Sequence, residues 1–157
     1  MDRLKNAMPA DPVPERDRQA LAEAACNAMY GRDLATQGLG MQLERVGPGF
    51  ARLTMTVRPD MINGVQTCHG GFIFALADSA FAFACNSHNQ LTVGAGCSID
   101  YLAPGRLGEL LTAEALERAL SGKSGVYDVT VSNQDGRTIA LFRGKSHRVG
   151  GEVARPD

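Results

Sequence analysis

Apolar and polar positions recur along the first part of the chain with two different periods. From Arg18 to about Leu34 the apolar positions follow the helical period, which predicts an amphipathic helix. Residues 41–46 and 50–57 instead alternate apolar with polar positions, as half-buried strands do, and a Gly-Pro-Gly turn separates them. We therefore expect a helix followed by a two-stranded hairpin.

The run from His69 to Cys85 is apolar on nearly every side, and Asp78 is the only acidic or basic residue after its first position. It opens with Gly70-Gly71, and the residues after this pair favour a helix. A helix that is apolar all round must be buried all round. One small sheet cannot cover such a helix alone, so a second subunit is expected to complete the burial.

The remaining segments are mostly strand-like. Residues 91–102, 125–132 and 138–149 favour strands, and the turn at 133–136 joins the last two as a hairpin. Residues 109–120 have high helix propensity, although their alternation also fits a strand, and the local sequence favours a helix. The order predicts an α+β fold in which one helix covers the inner face of an antiparallel sheet.

The domain organisation is predicted to be simple. Residues 1–17 contain three prolines and many charges, which is typical of a flexible N-terminal tail. Residues 18–150 form one domain, and 151–157 are expected to be a flexible C-terminal tail. The chain of 157 residues is long enough for one sizeable core.

Composition narrows the class of protein. A net charge of −1 argues against nucleic acid as a partner. No apolar segment is long enough to span a bilayer, and the N-terminus lacks the apolar core of a signal peptide. Four cysteines without a CxxC pair or metal-ligand spacing indicate free thiols. We therefore expect a cytoplasmic protein that binds neither a membrane nor a metal.

Asp78 and the glycine pair are the residues that point to chemistry. Burying a lone carboxylate is costly unless the group is paired or has a task. Gly70 and Gly71 leave backbone N–H groups open at a helix N-terminus, where negative charge is stabilised. Asp78 follows Gly70 by about two helical turns. The combination predicts an enzyme that attacks a carbonyl, whereas a structural Asp and an ordinary glycine-rich helix start are the alternative.

Several segments also carry a resemblance to a known family. The chain resembles the hotdog-fold thioesterases, and within them it is most similar to the PaaI-type phenylacetyl-CoA thioesterases, over residues 19–150. The similarity lies in residues 63–71, 76–78, 84–87, 98–102, 125–128 and 140–148.

The resemblance implies a hotdog fold, in which an antiparallel sheet wraps around one long central helix. It implies hydrolysis of acyl-CoA thioesters, typically those of phenylacetyl or hydroxyphenylacetyl groups, without a cofactor or metal, coenzyme A being part of the substrate. It also implies a homodimer with sites at the interface, usually paired into a dimer of dimers.

The resemblance assigns roles to Asp78, Gly70 and Asn63, and Gly71 and His69 are further candidates beside them. Asp78 matches the catalytic acid, which can act as a general base on water or as a nucleophile. Gly70 matches the position whose backbone N–H binds the thioester oxygen. Gly71, the next residue, either contacts the substrate or serves only in packing. Asn63 matches a position that holds water or the thioester, but it could instead take the left-handed place of an Asn-Gly turn. For His69 a catalytic role is conceivable, and a capping or substrate-positioning role is favoured.

Other residues are candidates for substrate binding. The phosphates of coenzyme A require cations, for which Lys123, Arg143, Lys145 and Arg148 are available. For each of them a solvated strand edge is the alternative. Phe72 and the other helix phenylalanines could line an aromatic acyl pocket or pack in the core.

Two other functions remain open. A hydratase or dehydratase of the same fold would use His69 and Asp78 as an acid–base pair on a hydroxyacyl chain. An acyl-CoA-binding sensor would need a DNA-binding segment, and the short N-terminal stretch shows no helix-turn-helix pattern.

Overall fold

A computed structural model describes residues 13–154 of the chain. Three α-helices lie at α1 Glu15–Tyr30, α2 Leu34–Gly38 and α3 Gly70–Asn86. Six strands lie at β1 Gln42–Gly47, β2 Phe50–Thr56, β3 Thr92–Tyr101, β4 Leu110–Ser121, β5 Ser124–Ser132 and β6 Thr138–Arg148.

The strands form one antiparallel sheet in the order β1-β2-β4-β5-β6-β3. Helix α3 packs on its inner face and contacts all six strands. The two predicted hairpins, β1–β2 and β5–β6, are confirmed. The α+β architecture with a sheet wrapped around one long helix is therefore confirmed, and strands β1 and β3 form the two edges of the sheet.

Helix α3 approaches the sheet closely because small residues lie at the contact. Ala77, Ala80 and Ala84 are fully buried. The ring of Phe81 lies against Gly144 of β6, where an added Cβ would lie 2.8 Å from ring carbons. The helix is thus held in the core by shape as well as by its apolar composition.

The predicted helix over residues 109–120 is wrong, because this segment is strand β4. Leu111, Ala113 and Ala115 alternate along it and are all fully buried. The strand pairs with β2 on one side and with β5 on the other. Pairing on both sides satisfies its backbone and buries one face, which outweighs a helix propensity of a few tenths of a kcal/mol per residue.

The leading helix begins earlier and ends earlier than the sequence predicted. It begins at Glu15, one residue after Pro14, so the predicted tail boundary at residue 17 lies too late. The helix breaks at Gly31, and α2 follows, capped by Asp33, which accepts a hydrogen bond from the N–H of Thr36 at 3.0 Å. The rest of the predicted tail, residues 1–12, lies outside the described residues.

The C-terminal segment differs from the predicted flexible tail at residues 151–154. Val153 is buried, and its carbonyl accepts a hydrogen bond of 2.7 Å from Arg32 Nη2. Gly151 accepts a hydrogen bond of 2.9 Å from the N–H of Leu91. This part of the segment therefore packs against α1 and the approach to β3, whereas residues 155–157 lie outside the described residues.

Within residues 13–154 no helix is long and apolar enough to cross a membrane. The same residues contain no group of three side chains that could ligate a metal ion.

Candidate active site

Asp78 projects from α3 beside an open cavity of about 600 Å³. Residues of α1, α3, β3 and the C-terminal segment line this cavity. Its apolar wall includes Phe74, Phe81 and Val93. Cys97 of β3 also lines it, and partial burial, followed by the charge of Asp78, raises the pKa of its thiol. We call it the Asp78 cavity. It combines one carboxylate with an aromatic and aliphatic surround.

The carboxylate of Asp78 has no hydrogen-bond or ion-pair partner among residues 13–154. Its side chain remains exposed in the single chain, while the surrounding protein partly desolvates it and raises its pKa above the ordinary value of 3.8. Arg32 also lines the cavity, but it donates hydrogen bonds to the carbonyls of Ala28 and Val153. A structural Asp bonded to a neighbouring backbone is therefore not what the structure shows.

The start of α3 leaves one backbone donor free. The N–H of Gly71 donates to His69 Nδ1 at 2.9 Å, and the N–H of Phe72 donates to the carbonyl of His69 at 3.0 Å. The N–H of Gly70 has no acceptor within the described part of the chain. Two of the donors that a helix N-terminus exposes are thus occupied, and that of Gly70 is available to a ligand.

Gly70 lies in close contact with Tyr101 at the end of β3. The hydroxyl of Tyr101 donates a hydrogen bond of 2.9 Å to the carbonyl of Gly70. An added Cβ at Gly70 would lie 3.1 Å from both the hydroxyl and the ring carbon that carries it. Sequence reasoning did not assign Tyr101 a role, because the sequence does not show which group a tyrosine at the end of a strand will contact.

His69 caps α3, as the sequence analysis favoured. Its Nδ1 accepts the hydrogen bond from Gly71, so a neutral His69 carries its proton on Nε2. Its ring lies edge-on to that of Phe72, with centroids 6.2 Å apart. Phe72 therefore packs at the helix start, while Phe74 and Phe81 are the helix phenylalanines that line the Asp78 cavity.

Asn63 closes the loop that precedes α3. Its Oδ1 accepts hydrogen bonds from the N–H groups of Val65 at 3.0 Å and Thr67 at 3.1 Å, and its Nδ2 donates to Thr67 Oγ1 at 3.0 Å. The alternative of a left-handed Asn63 is wrong, because the residue with positive φ in this loop is Gln66. Asn63 is an Asx-type loop residue whose amide retains a further N–H.

The single chain keeps the two halves of the predicted site apart. Gly70 and Asp78 lie on the same helix, about 12 Å apart along its axis. Neither Asn63 nor Gly70 lines the Asp78 cavity. Strand β3, which does line it, is exposed from Val93 to Ser98 and carries no charge over that stretch. Such an uncovered sheet edge offers a second chain a place to pair.

The four predicted phosphate-binding cations separate into different places. Lys123 and Arg148 line one small cavity, and the N–H of Arg148 donates to the carbonyl of Lys123 at 2.8 Å. Arg143 instead lies on the outer face of the sheet, where both it and Arg118 bind the carboxylate of Asp128.

Lys145 is also exposed, two residues from Arg143 on the same face of β6. Sequence reasoning missed Arg118, because only the register of β4 against β5 brings it to Asp128.

Comparison with known proteins shows the family of the chain. The family model of the thioesterase superfamily matches residues 65–140. The acyl-coenzyme A thioesterase PaaI of Escherichia coli is 50% identical over 127 residues, covering 81% of this chain and 91% of the relative.

Solved structures with the same fold include relatives of the same type. The E. coli PaaI protein from the phenylacetic acid degradation operon superposes with a TM-score of 0.84 at 48% identity, covering 85% of this chain and 97% of that one. The protein smu.793 of Streptococcus mutans, solved bound to acetyl CoA, gives a TM-score of 0.69 at 27% identity, covering 71% and 90% of the chains. The chain therefore belongs to the hotdog-fold thioesterase superfamily and, within it, to the PaaI type of acyl-CoA thioesterase.

Proposed function

We propose that the protein hydrolyses the thioester of aryl or short acyl-CoA substrates to a free acid and coenzyme A, with Asp78 as general base or nucleophile. The observation that carries the proposal is the carboxylate of Asp78, which has no partner among residues 13–154 and borders an apolar cavity. The raised pKa of Asp78 makes the ionised carboxylate a stronger base than a solvated one.

Gly70 supplies the electrostatic part of the reaction. Attack on a thioester carbonyl develops negative charge on its oxygen, and a fixed N–H at a helix N-terminus stabilises that charge. The free N–H of Gly70 supports this role, as does the capping by His69, which occupies the next donor along. His69 is thus a positioning residue in the proposal.

The site is completed by a second copy of the chain. Asp78 of one subunit faces Gly70 and Asn63 of its partner, because one chain holds these groups at separate places. The exposed, uncharged edge of β3 beside Asp78 supports the pairing. Two such dimers assembling as a tetramer remain part of the proposal.

The acyl group favoured is phenylacetyl or hydroxyphenylacetyl. The aromatic side chains of Phe74 and Phe81 in the Asp78 cavity support an aryl group, as does the relative from the phenylacetic acid degradation operon. The reaction needs no cofactor or metal, since the thioester is already activated. The four free cysteines support a cytoplasmic setting.

The hydratase alternative would need His69 and Asp78 to act together on one substrate. They are nine residues apart at the start and middle of the same helix, and Nδ1 of His69 is occupied by Gly71. A panel of phenylacetyl-, acetyl- and palmitoyl-CoA, followed by release of free thiol, tests the proposal. We expect phenylacetyl-CoA to give the highest kcat/KM, whereas palmitoyl-CoA ranking first would contradict the aryl assignment.

The role of Asp78 is tested by Asp78→Asn, which keeps size and removes the base. We expect kcat to fall by about a hundredfold or more, with folding and assembly unchanged. The matched control is Asp135→Asn in the exposed β5–β6 turn, which should retain wild-type activity. A near wild-type kcat for Asp78→Asn would remove Asp78 from the mechanism.

A further inference from the structure

The Asp78 cavity has an open side and an enclosed end. On the open side Val93 of β3 is 46% exposed, whereas Asn86 and Val153, which also line the cavity, are only 3% and 2% exposed. Asp78 and Asn86 lie on the same helix, about 12 Å apart along its axis. The enclosed end therefore lies about two helical turns beyond the carboxylate that is proposed to react.

At this end the last turn of α3 is joined to the start of β3. The Nδ2 group of Asn86 donates a hydrogen bond of 2.9 Å to the carbonyl of Thr92, and its Oδ1 accepts one of 3.0 Å from the N–H of Thr92. Helix and strand are thus held together where the cavity ends, and the wall across this end comes from elsewhere in the chain.

Val153 reaches this end of the cavity from the segment that follows β6. The chain bends at Gly150 and Gly151, whose φ angles of +97° and +92° favour glycine. Val153 is buried, although it does not belong to the main apolar cluster of the core. Its side chain is therefore shielded from solvent at the cavity rather than in the interior between α3 and the sheet.

The backbone around Val153 is fixed by two side chains. The Nη2 group of Arg32 donates a hydrogen bond of 2.7 Å to the carbonyl of Val153, and the N–H of Ala154 donates one of 2.8 Å to Asn89 Oδ1. Both contacts use backbone groups of the segment. The side chain of Val153 can therefore be changed in size without removing either hydrogen bond.

The other buried residues that line this region have further contacts in the fold. The ring of Phe81 lies edge-on to that of Tyr127, with centroids 5.5 Å apart, and 5.8 Å from that of Phe142. Asn86 joins α3 to β3. A change of size at these two positions would disturb the core or the helix end, whereas a change at Val153 acts on the end of the cavity.

We propose that Val153 is a specificity-determining residue, which closes the end of the acyl pocket and limits how far an acyl group extends from Asp78. The proposal rests on the proposed function, since the acyl group must lie in the Asp78 cavity with its thioester at the carboxylate. A longer acyl group would have to displace the valine side chain. In an apolar pocket one methylene group changes kcat/KM by about 10–200-fold.

The test compares acetyl-, phenylacetyl- and phenylbutyryl-CoA by thiol release, with Val153→Ala to enlarge the end of the pocket and Val153→Leu to shorten it. Acetyl-CoA is the reference, because its acyl group is too short to reach the wall. We expect Val153→Ala to raise the ratio of kcat/KM for phenylbutyryl-CoA to that for acetyl-CoA by about tenfold. Val153→Leu should lower the ratio for phenylacetyl-CoA to acetyl-CoA by about tenfold.

The matched control is Val149→Ala, the same substitution at an exposed position of the same segment that does not line the cavity. It should keep both ratios of the wild type. A purely structural role of Val153 would lower the activity on all three substrates together and leave the ratios unchanged. Opposite shifts of the ratios in the smaller and the larger variant therefore support the proposal.

Unchanged ratios in both variants, with an active wild type, would overturn the role of Val153 and leave the thioesterase function standing. A wild type that releases thiol from none of the three substrates would overturn the proposed function, and the role of Val153 with it. If Val153→Ala does not fold, Val153→Leu decides through the ratio for phenylacetyl-CoA to acetyl-CoA.

Discussion

At the scale of single residues, the important feature of Asp78 is that its surroundings raise the free energy of the ionised carboxylate. The carboxylate is partly desolvated by the wall of the Asp78 cavity and has no compensating donor within residues 13–154. A group held in this way destabilises the fold and is at the same time a better base.

The pH dependence of stability tests that environment. The native pKa of Asp78 is raised, so the native state binds its proton more tightly than the unfolded state does. The penalty is absent below the ordinary pKa of 3.8, grows as pH rises through the native pKa, and is constant above it. Asp78→Asn should therefore melt at a higher temperature than the wild type at pH 7.

The gain in melting temperature should shrink as the pH approaches 3.8. Thermal unfolding followed from pH 7 downward measures this difference, with Asp135→Asn as the control. A constant difference between Asp78→Asn and the wild type across the range would show that the carboxylate is not desolvated.

Gly70→Ala tests the backbone donor. The added methyl group would lie 3.1 Å from the Tyr101 ring and hydroxyl, so either that side chain or the start of α3 must give by a few tenths of an ångström. We expect kcat to fall by up to about a hundredfold, as for an oxyanion donor moved out of place, with a smaller change in KM. Gly38→Ala, where nothing lies within 4 Å of the added Cβ, is the matched control. Alanine keeps the N–H, so unchanged kcat in Gly70→Ala would show that the added methyl group neither displaces this donor nor blocks the substrate.

At the scale of elements, the loop between β2 and α3 fixes the helix start. The N–H of Cys68 donates to the carbonyl of Gly105 and that of His69 to the carbonyl of Met61, each at 2.8 Å. Asn63 closes the same loop through its hydrogen bonds to the two backbone N–H groups of residues 65 and 67. The loop is thus held by hydrogen bonds to residues outside it as well as by its own turn.

Asn63 therefore has two separable roles, one in the loop and one at the proposed site. Asn63→Asp keeps the acceptor for both N–H groups and removes the amide donor, whereas Asn63→Ala removes both. We expect both variants to lower kcat, but only Asn63→Ala to lower the free energy of unfolding, by about 1–2 kcal/mol. Thiol-release kinetics and urea unfolding measure the two effects. A pure rise in KM would make Asn63 a loop residue only.

At the scale of the whole molecule, one chain contains every proposed reacting group but does not bring them together. The Asp78 cavity opens beside the exposed edge of β3, while the free N–H of Gly70 lies two turns back along α3. Under the proposed function, a complete site forms where the β3 edge of one chain meets the helix start of another.

A mixed dimer tests the shared site. One chain carries Asp78→Asn and the other carries Gly70→Ala, each parent being nearly inactive. If the site is shared, one of the two sites receives both lesions and the other receives none. The mixed dimer should then recover about half of the wild-type activity per dimer. No recovery, with mixed dimers shown to form by mass, would place the site within one chain.

The sequence by itself determined those helices and strands whose local hydrophobic pattern matches the way they are buried in the fold. The glycine pair and apolar run defined α3 and placed Asp78 two turns from Gly70, and the alternating segments defined both hairpins. These features depend on interactions between residues close together in the chain, so they can be predicted from the sequence alone.

Only the tertiary structure decided the rest, because it depends on partners far along the chain. Residues 110–121 form a strand because β2 and β5 flank them, against their own helix propensity. The sheet register brings Arg143 to Asp128 and places Lys123 and Arg148 together at a different cavity. Which basic residues lie together is set by packing across the sheet rather than by sequence spacing.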